Sequence, residues 1–303
     1  MSLSILTPGS RKDEPAMTTA ALKGRSLWQD ARRRLLRNRA AVVGMAVLAL
    51  LVVAALVGPH LTAYRYDEIN KNDVWMAPLH NGHLIGADAL GRDLLARLLM
   101  GLRVSLSIGL VATFVSLVIG VAWGAVAGYV GGRLDEAMMR FVDILYSLPF
   151  IFFVILLMVA FGSNILLIFV AIGAVEWLTM SRIVRGQTLT LKHKEFVEAA
   201  RAAGLGQSGI IIRHIVPNLL GPVVVYVTLT IPAVILAESF LSFLGLGVQA
   251  PMASLGTLIN NGAQDMELAP WLLIFPSLVM VLTLVSFNFI GDGLRDAIDP
   301  RDR

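Results

Sequence analysis

Long apolar runs separated by short polar segments set the pattern of this chain. Between Arg39 and Arg65 lies AAVVGMAVLALLVVAALVGPHLTAY, and between Arg103 and Arg133 lies VSLSIGLVATFVSLVIGVAWGAVAGYVGG. From Ile144 to Val175 no residue is charged, and FGSN at Phe161 to Asn164 reads as a turn that divides this interval into two helices, the second reaching about Ile183. A fifth run covers roughly Leu219 to Leu241, and a sixth lies between Glu267 and Asp292. A helix needs about 20 apolar residues to cross the hydrocarbon of a bilayer. The pattern therefore predicts an all-α polytopic membrane protein with six transmembrane helices.

Composition agrees. Of 303 residues, 56% are hydrophobic and 15% charged, with a mean hydropathy of +0.74. Soluble domains carry about 25% charged residues. The first apolar run starts near Ala40 and is longer than the ~7–15 residue core of a secretory signal, so it reads as a retained span. There is no cysteine, which excludes a disulfide framework and thiolate metal sites. The basic residues form no patch interleaved with aromatics, which argues against nucleic acid as a partner.

Orientation follows from lysine and arginine in the loops. With the N-terminus inside, twenty of the 25 lie in segments 1–39, 131–143, 182–218 and 292–303, and five lie outside, at Arg65, Lys71, Arg92, Arg97 and Arg103. Both termini are then cytoplasmic. The expected organisation is a cytoplasmic tail over 1–39 (unstructured over 1–24), a first span over 40–62, an outer loop over 63–103 and a five-span core over 104–303. Leu94, Leu95, Leu98, Leu99 and Leu102 form an apolar stripe beside polar Arg92, Asp93 and Arg97, which predicts an interfacial helix before the second span.

Within the spans, Gly120, Gly124, Gly128 and Gly132 recur every four residues and present a face without side chains, suited to close helix packing, a pore lining or a seam to another subunit. Pro222, Pro232 and Pro276 invite kinks, and Pro149 and Pro270 read as helix starts. Two acids fall in or near spans. Glu176 is placed to pair with Arg182 or Arg185, and Glu238 lies near the outer end of span five, within reach of water. A proton relay needs a chain of such groups, and two scattered ones do not make it.

Several chemistries are missing. No G-x-x-x-x-G-K-[ST] is present, so the chain has no phosphate-cradling loop. The five histidines contain no i, i+4 pair for zinc, although His80 and His83 lie close together in the outer loop. GLGVQA at Gly245 to Ala250 follows a membrane span instead of a strand, so it is a turn and not a dinucleotide site. No nucleophile–base set stands out.

One polar segment remains, EFVEAARAAGLGQSGIIIRHIVPN from Glu195 to Asn218. Phe196, Ala199, Ala200 and Ala203 fall at i, i+3, i+4 and i+7, giving a small-residue helical face with one aromatic anchor. Glu195, Glu198 and Arg201 lie off that face. Gly204 suits a left-handed helix end, QSGIII then turns the chain, and Pro217 opens span five. The spacing alone fits either a docking helix tied to a transmembrane helix or an amphipathic helix lying on the bilayer.

This segment resembles the EAA loop of bacterial ABC importer permeases: Glu198-Ala199-Ala200, then Gly204, then Pro217 in register, with His214 and Val216 where isoleucine and leucine are usual. GADALGRDLLARLLMGLRVSL at Gly86 to Leu106 resembles the signature of the C-type permease subunits of dipeptide, oligopeptide and nickel importers, with Ala87 and Ala96 replacing threonine and serine. RSLWQDARRRLLRNRAA, RIVRGQTL, ESFLSFLGLG and the tail GDGLRDAIDPR look most like the oligopeptide member, over about Arg25 to Arg303. The resemblance implies the type I importer permease fold in a bacterial inner membrane, with 190–218 as the coupling loop and residues 63–103 periplasmic. It implies a homologous B-type permease, two ATP-binding subunits that hold ATP and magnesium, and a periplasmic oligopeptide-binding protein. This chain itself would hold no cofactor and catalyse no reaction. Phe196, Glu198, Ala199, Ala200, Gly204 and Pro217 would couple ATP hydrolysis to transport. Dipeptide, nickel or glutathione permeases, and an ATPase-independent channel or secondary transporter, are the alternatives.

Overall fold

The computed structural model describes residues 27–161 and 165–298, all of its regular structure helical. Residues 1–24 and most of the FGSN turn lie outside the described residues.

The basic helix α1 (Leu27–Arg37) leads into α2 (Arg39–Leu61) across Asn38, whose side chain accepts a hydrogen bond from the Ala41 amide at 3.2 Å. After the loop 62–93 come α3 (Leu94–Val130), α4 (Gly132–Ser147), α5 (Phe150–Phe161), α6 (Ile165–Leu191), α7 (Glu195–Ala202) and α8 (Gln207–Ile210). A π-helical turn, Ile211–Ile215, then passes into α9 (Val216–Phe243), followed by α10 (Leu255–Gln264) and α11 (Trp271–Ile298). Among the described residues, four helical stretches are long and apolar enough to span a membrane: Arg39–Leu61, Leu94–Val130, Gln207–Phe243 and Trp271–Ile298. Helices α4 and α5, bent by 82° between them, make a fifth if read as one span. Helix α6 falls outside this group and carries Glu176, Arg182 and Arg185.

Four expectations need correction. The interfacial helix is not separate from the second span. Leu94 to Val130 is one continuous helix of 37 residues, started by Asp93, whose carboxylate accepts the Ala96 amide at 2.7 Å. The stripe lies against protein: Leu98 and Leu102 join Ile231, Ile235 and Leu255 in a core, and Leu94 packs with Leu272. Second, Gly132 does not extend the glycine face. It starts α4 at φ +61°, and a Cβ there would meet nothing within 4 Å. Third, Glu238 does not reach water. It is fully buried, accepting hydrogen bonds from Ser242 at 2.6 Å and Ser105 at 3.3 Å, and the Ser105 hydroxyl also receives the Leu255 amide at 3.0 Å. This network ties the start of α10 to α3 and α9. Fourth, Glu176 does not pair with either arginine: Arg182 bonds Asp143 at 2.7 Å, and Arg185 bonds Asp135.

Helix directions follow from these contacts. The end of α2 meets α3 near Leu99, and the starts of α3 and α11 meet through Leu94 and Leu272. The loop 62–93 and α10 therefore sit at one end of the bundle. The end of α1, the start of α2, the end of α3 and the end of α11 lie at the other, where Gly293 packs against Ala41 and Leu35.

Candidate functional site: a short helix seated on two rods

Helix α7 is only eight residues long, too short to persist alone in water. Its inner face seats it. Val197 is 0% exposed and Ala200 7%, both packed in a core with Ile210, Ile215, Leu219 and Val184. The predicted outward face is thereby corrected at one position: Ala200 points inward. Phe196, at 38% exposure, and Ala199 and Ala203 remain outside, as do Glu195, Glu198 and Arg201. Arg201 also lies 5.9 Å from the centre of the Tyr129 ring.

The helix ends in a paired cap. The Gly204 amide donates to the Arg201 carbonyl at 3.0 Å, and the Leu205 amide donates to the Ala200 carbonyl at 3.1 Å. This is the Schellman arrangement, which needs a left-handed residue, and Gly204 supplies it at φ +82°. The next helical stretch begins at Gln207, three residues later, and runs unbroken to Phe243. QSGIII is thus helix and not a turn; Pro217 stands in the first turn of α9, as expected, but α9 continues the stretch from Gln207 instead of following a turn. The winding accommodates the proline. A proline ring clashes with the carbonyl four residues before it, and the preceding turn is π-helical, with the Val216 amide donating to the Ile211 carbonyl five residues back.

A second rod enters from the other side. Ideal Cβ atoms at Gly120, Gly124 and Gly128 of α3 would lie 2.6 Å from Met180 Cβ, 2.4 Å from the Ser181 carbonyl oxygen and 2.8 Å from Thr188 Cβ, all on α6. The two backbones run in direct contact down to α7. Lys192 Nζ donates to the Gly128 carbonyl at 3.1 Å, and Arg185 grips Asp135 with two bonds of 2.6 and 2.7 Å. Burial of Val197 and Ala200 against both rods couples displacement of α7 to the α3–α6 pair and to α9.

Residues 120–303 match the family described as binding-protein-dependent transport system inner membrane component. Residues 26–78 match the N-terminal transmembrane domain of oligopeptide transport permease C. The oligopeptide transport system permease proteins OppC of Haemophilus influenzae and Escherichia coli K12 are each 56% identical over 283 residues, covering 93% of this chain and 91% and 94% of theirs. The chain belongs to this family of inner-membrane permeases. The dipeptide transport system permease protein DppC of Bacillus subtilis is 44% identical over 279 residues, 92% of this chain and 87% of that one. An inward-facing structure of the MetNI methionine ABC transporter aligns at a TM-score of 0.55 and 20% identity, over 68% of this chain and 96% of that chain. That likeness is one of fold.

Three parts of the permease's site were not anticipated from the sequence. Val197 is the main seat of α7, and its i, i+3 relation to Ala200 was readable. The Asp135–Arg185 pair is fifty residues apart, and only the packing of α4 on α6 brings it together. The π turn has one sequence trace, Pro217 in the middle of an apolar helix.

Proposed function

We propose that this permease is the C-type transmembrane subunit of an ATP-driven oligopeptide importer, and that α7 is the knob on which a separate ATPase acts. The observation that carries the reading is the division of labour on α7: Val197 and Ala200 hold it to the bundle, while Phe196, Ala199 and Ala203 present an unfilled small-residue face. Six spans with both termini cytoplasmic fit the excess of basic residues on α1, α4 and the loops around α7, and the helix directions put α1 and α7 at the same end of the bundle. A B-type permease, two ATP-binding subunits holding ATP and magnesium, and a periplasmic peptide-binding protein complete the assembly. ATP binding draws the knobs together and favours the outward-open state; hydrolysis restores the inward-facing one. The shift is as large as the difference in nucleotide affinity between the two states.

The test is uptake of labelled tri- to pentapeptides by proteoliposomes holding the assembled transporter, with and without the ATP-binding subunits. ATP-dependent uptake only in the full assembly is expected. Transport by the permease alone would replace this reading with a channel or secondary transporter. The relative that transports dipeptides favours one competing substrate class, and stronger uptake of dipeptides than of longer peptides would select it.

A further inference from the structure

At the end of the bundle away from α7, a cavity of about 220 Å³ opens between the first turns of α3 and the segment 242–261. Arg97 and Ser242 are its buried floor, Arg92 and Thr257 line it, and Gln249 and Asn261 stand at an exposed rim. The two arginines are its only charged lining groups among the described residues. An adjoining cavity of about 250 Å³ shares Arg92, Arg97 and Asn261 and adds Asp88 and Asp265.

The charges do not balance. Arg92 Nε donates to Asp88 Oδ2 at 2.8 Å, and Arg97 Nε lies 3.3 Å from the same oxygen. The second approach lacks hydrogen-bond geometry, so the buried Arg97 Nε has no hydrogen-bond partner, while Nη1 donates to the Tyr66 carbonyl at 3.3 Å. One carboxylate therefore serves two guanidinium groups, and Arg97 is 3% exposed. Asp265 forms no ion pair with them among the described residues. A buried cation that must share its counter-charge is costly, and its planar fork fits a carboxylate with two parallel bonds.

We propose that this cavity receives one carboxylate, the side chain of an aspartate or glutamate carried on the soluble binding protein that docks at this end. Size suits that source: each cavity is smaller than the about 300–1,000 Å³ of pockets for drug-sized ligands, which matches a side-chain tip better than a peptide of several residues. The family is binding-protein-dependent, and opposite charge at an interface guides docking and fixes register. The inference rests on the importer reading and adds to it the chemistry of one anchoring contact.

Asn261 gives a test that spares the arginines. Its side chain is exposed, lines both cavities and makes no side-chain hydrogen bond among the described residues. Asn261→Asp places a carboxylate at the mouth in cis, and Asn261→Ala controls for loss of the amide. The assembled transporter in nanodiscs is titrated with labelled binding protein, loaded with free or C-terminally amidated tripeptide, at low and physiological salt. N261D is expected to weaken docking about tenfold relative to N261A at low salt, and amidation to make no difference. Equal affinity for N261D and N261A would overturn the proposal. A loss confined to peptides with a free carboxylate would also overturn it, assigning the site to the substrate. Absence of saturable docking to wild type would instead remove the importer reading beneath it.

Discussion

Gly204 is where the lever can be cut without touching either rod. Its φ of +82° lies in the left-handed region, and a Cβ there would meet nothing within 4 Å. Gly204→Ala is therefore a backbone perturbation alone, costing about 1–2 kcal/mol for a left-handed L-residue. At 1.4 kcal/mol per factor of ten, that lowers the ratio of seated to unseated α7 by roughly 5- to 30-fold. Gly204→Pro does more. It removes the amide that bonds the Arg201 carbonyl, about 0.5–1.5 kcal/mol. It also demands a φ near −65°, so the paired cap cannot form. Gly206, two residues on, is the control: its φ is −69°, its surroundings are open, and alanine there should be neutral.

The assay is the ratio of peptide taken up to ATP hydrolysed in proteoliposomes holding the assembled transporter. The expected order is wild type equal to G206A, then G204A, then G204P, with insertion and basal ATP hydrolysis retained throughout. If G204P transports as efficiently per ATP as G206A, the cap has no part in force transfer and α7 is not the lever.

Three further outcomes follow from named contacts. Gly124→Ala would set a Cβ 2.4 Å from the Ser181 carbonyl and force α3 from α6, at a cost of about 1–3 kcal/mol; Gly186→Ala, with open space around it, should be neutral or stabilise by up to about 1 kcal/mol. Equal thermal midpoints for the two purified variants would contradict the seam. Ala199→Arg, on the exposed face, should change stability by no more than about 0.5 kcal/mol yet abolish coupling, whereas Ala200→Arg should also unseat α7, seen as new proteolysis between Glu195 and Gln207; wild-type coupling in A199R would exclude that face as the docking surface. In the loop 62–93, a hydrogen bond from Asn81, with the His83 ring nitrogen 3.4 Å away, holds the Asp73 carboxylate below the ordinary aspartate range. A depressed folded pKa means the stabilisation is full above about pH 3.9, the unfolded value, and is lost as pH falls through the lower folded value. Protease resistance of the loop should hold at pH 5 and fail below about 4, and Asp73→Asn should flatten that dependence; identical profiles would refute it.

What could be read in advance, and what could not, divides by the range of the interaction. Apolar run length marks where helices lie, because burying backbone in lipid leaves few other choices, and the spacing of Glu198, Gly204 and Pro217 marks the segment to which the proposed function assigns docking. The sequence could not say which side of an amphipathic stripe meets protein. Leu94 to Leu102 reads as a lipid-facing surface, yet Ser254 and Leu258 of the α10 region cover it at Gly101. Ala200 reads as part of the outer face because alanine carries almost no burial signal, and Val197 settles the matter only once Ile210 and Ile215 are packed on it. Glu238 looked reachable by water because its two serine partners come from α3 and from its own next turn, 133 and four residues away.

The merging of separate predicted pieces into continuous helices bears directly on mechanism. A turn at QSGIII would have left a soft hinge between knob and span, and force on α7 would have dissipated there. Instead the non-helical link among the described residues is Ala203–Gly206, closed by the paired cap at Gly204 and Leu205, and Leu205 is itself packed in the core that seats α7. The π turn at Ile211–Ile215 then becomes the one irregular point between knob and membrane on this rod. It is widened at Pro217 and braced by the Asn218 side chain, which donates to the His214 carbonyl at 2.6 Å. Replacing Pro217 by alanine restores a backbone donor and lets the segment relax to regular α-helix. That would rotate everything before it, α7 included, by about 100° per residue of register relative to α9. A rotated knob presents the wrong face to its motor, so P217A should lose coupling while gaining helix stability, a pairing of opposite signs that a purely structural proline would not produce.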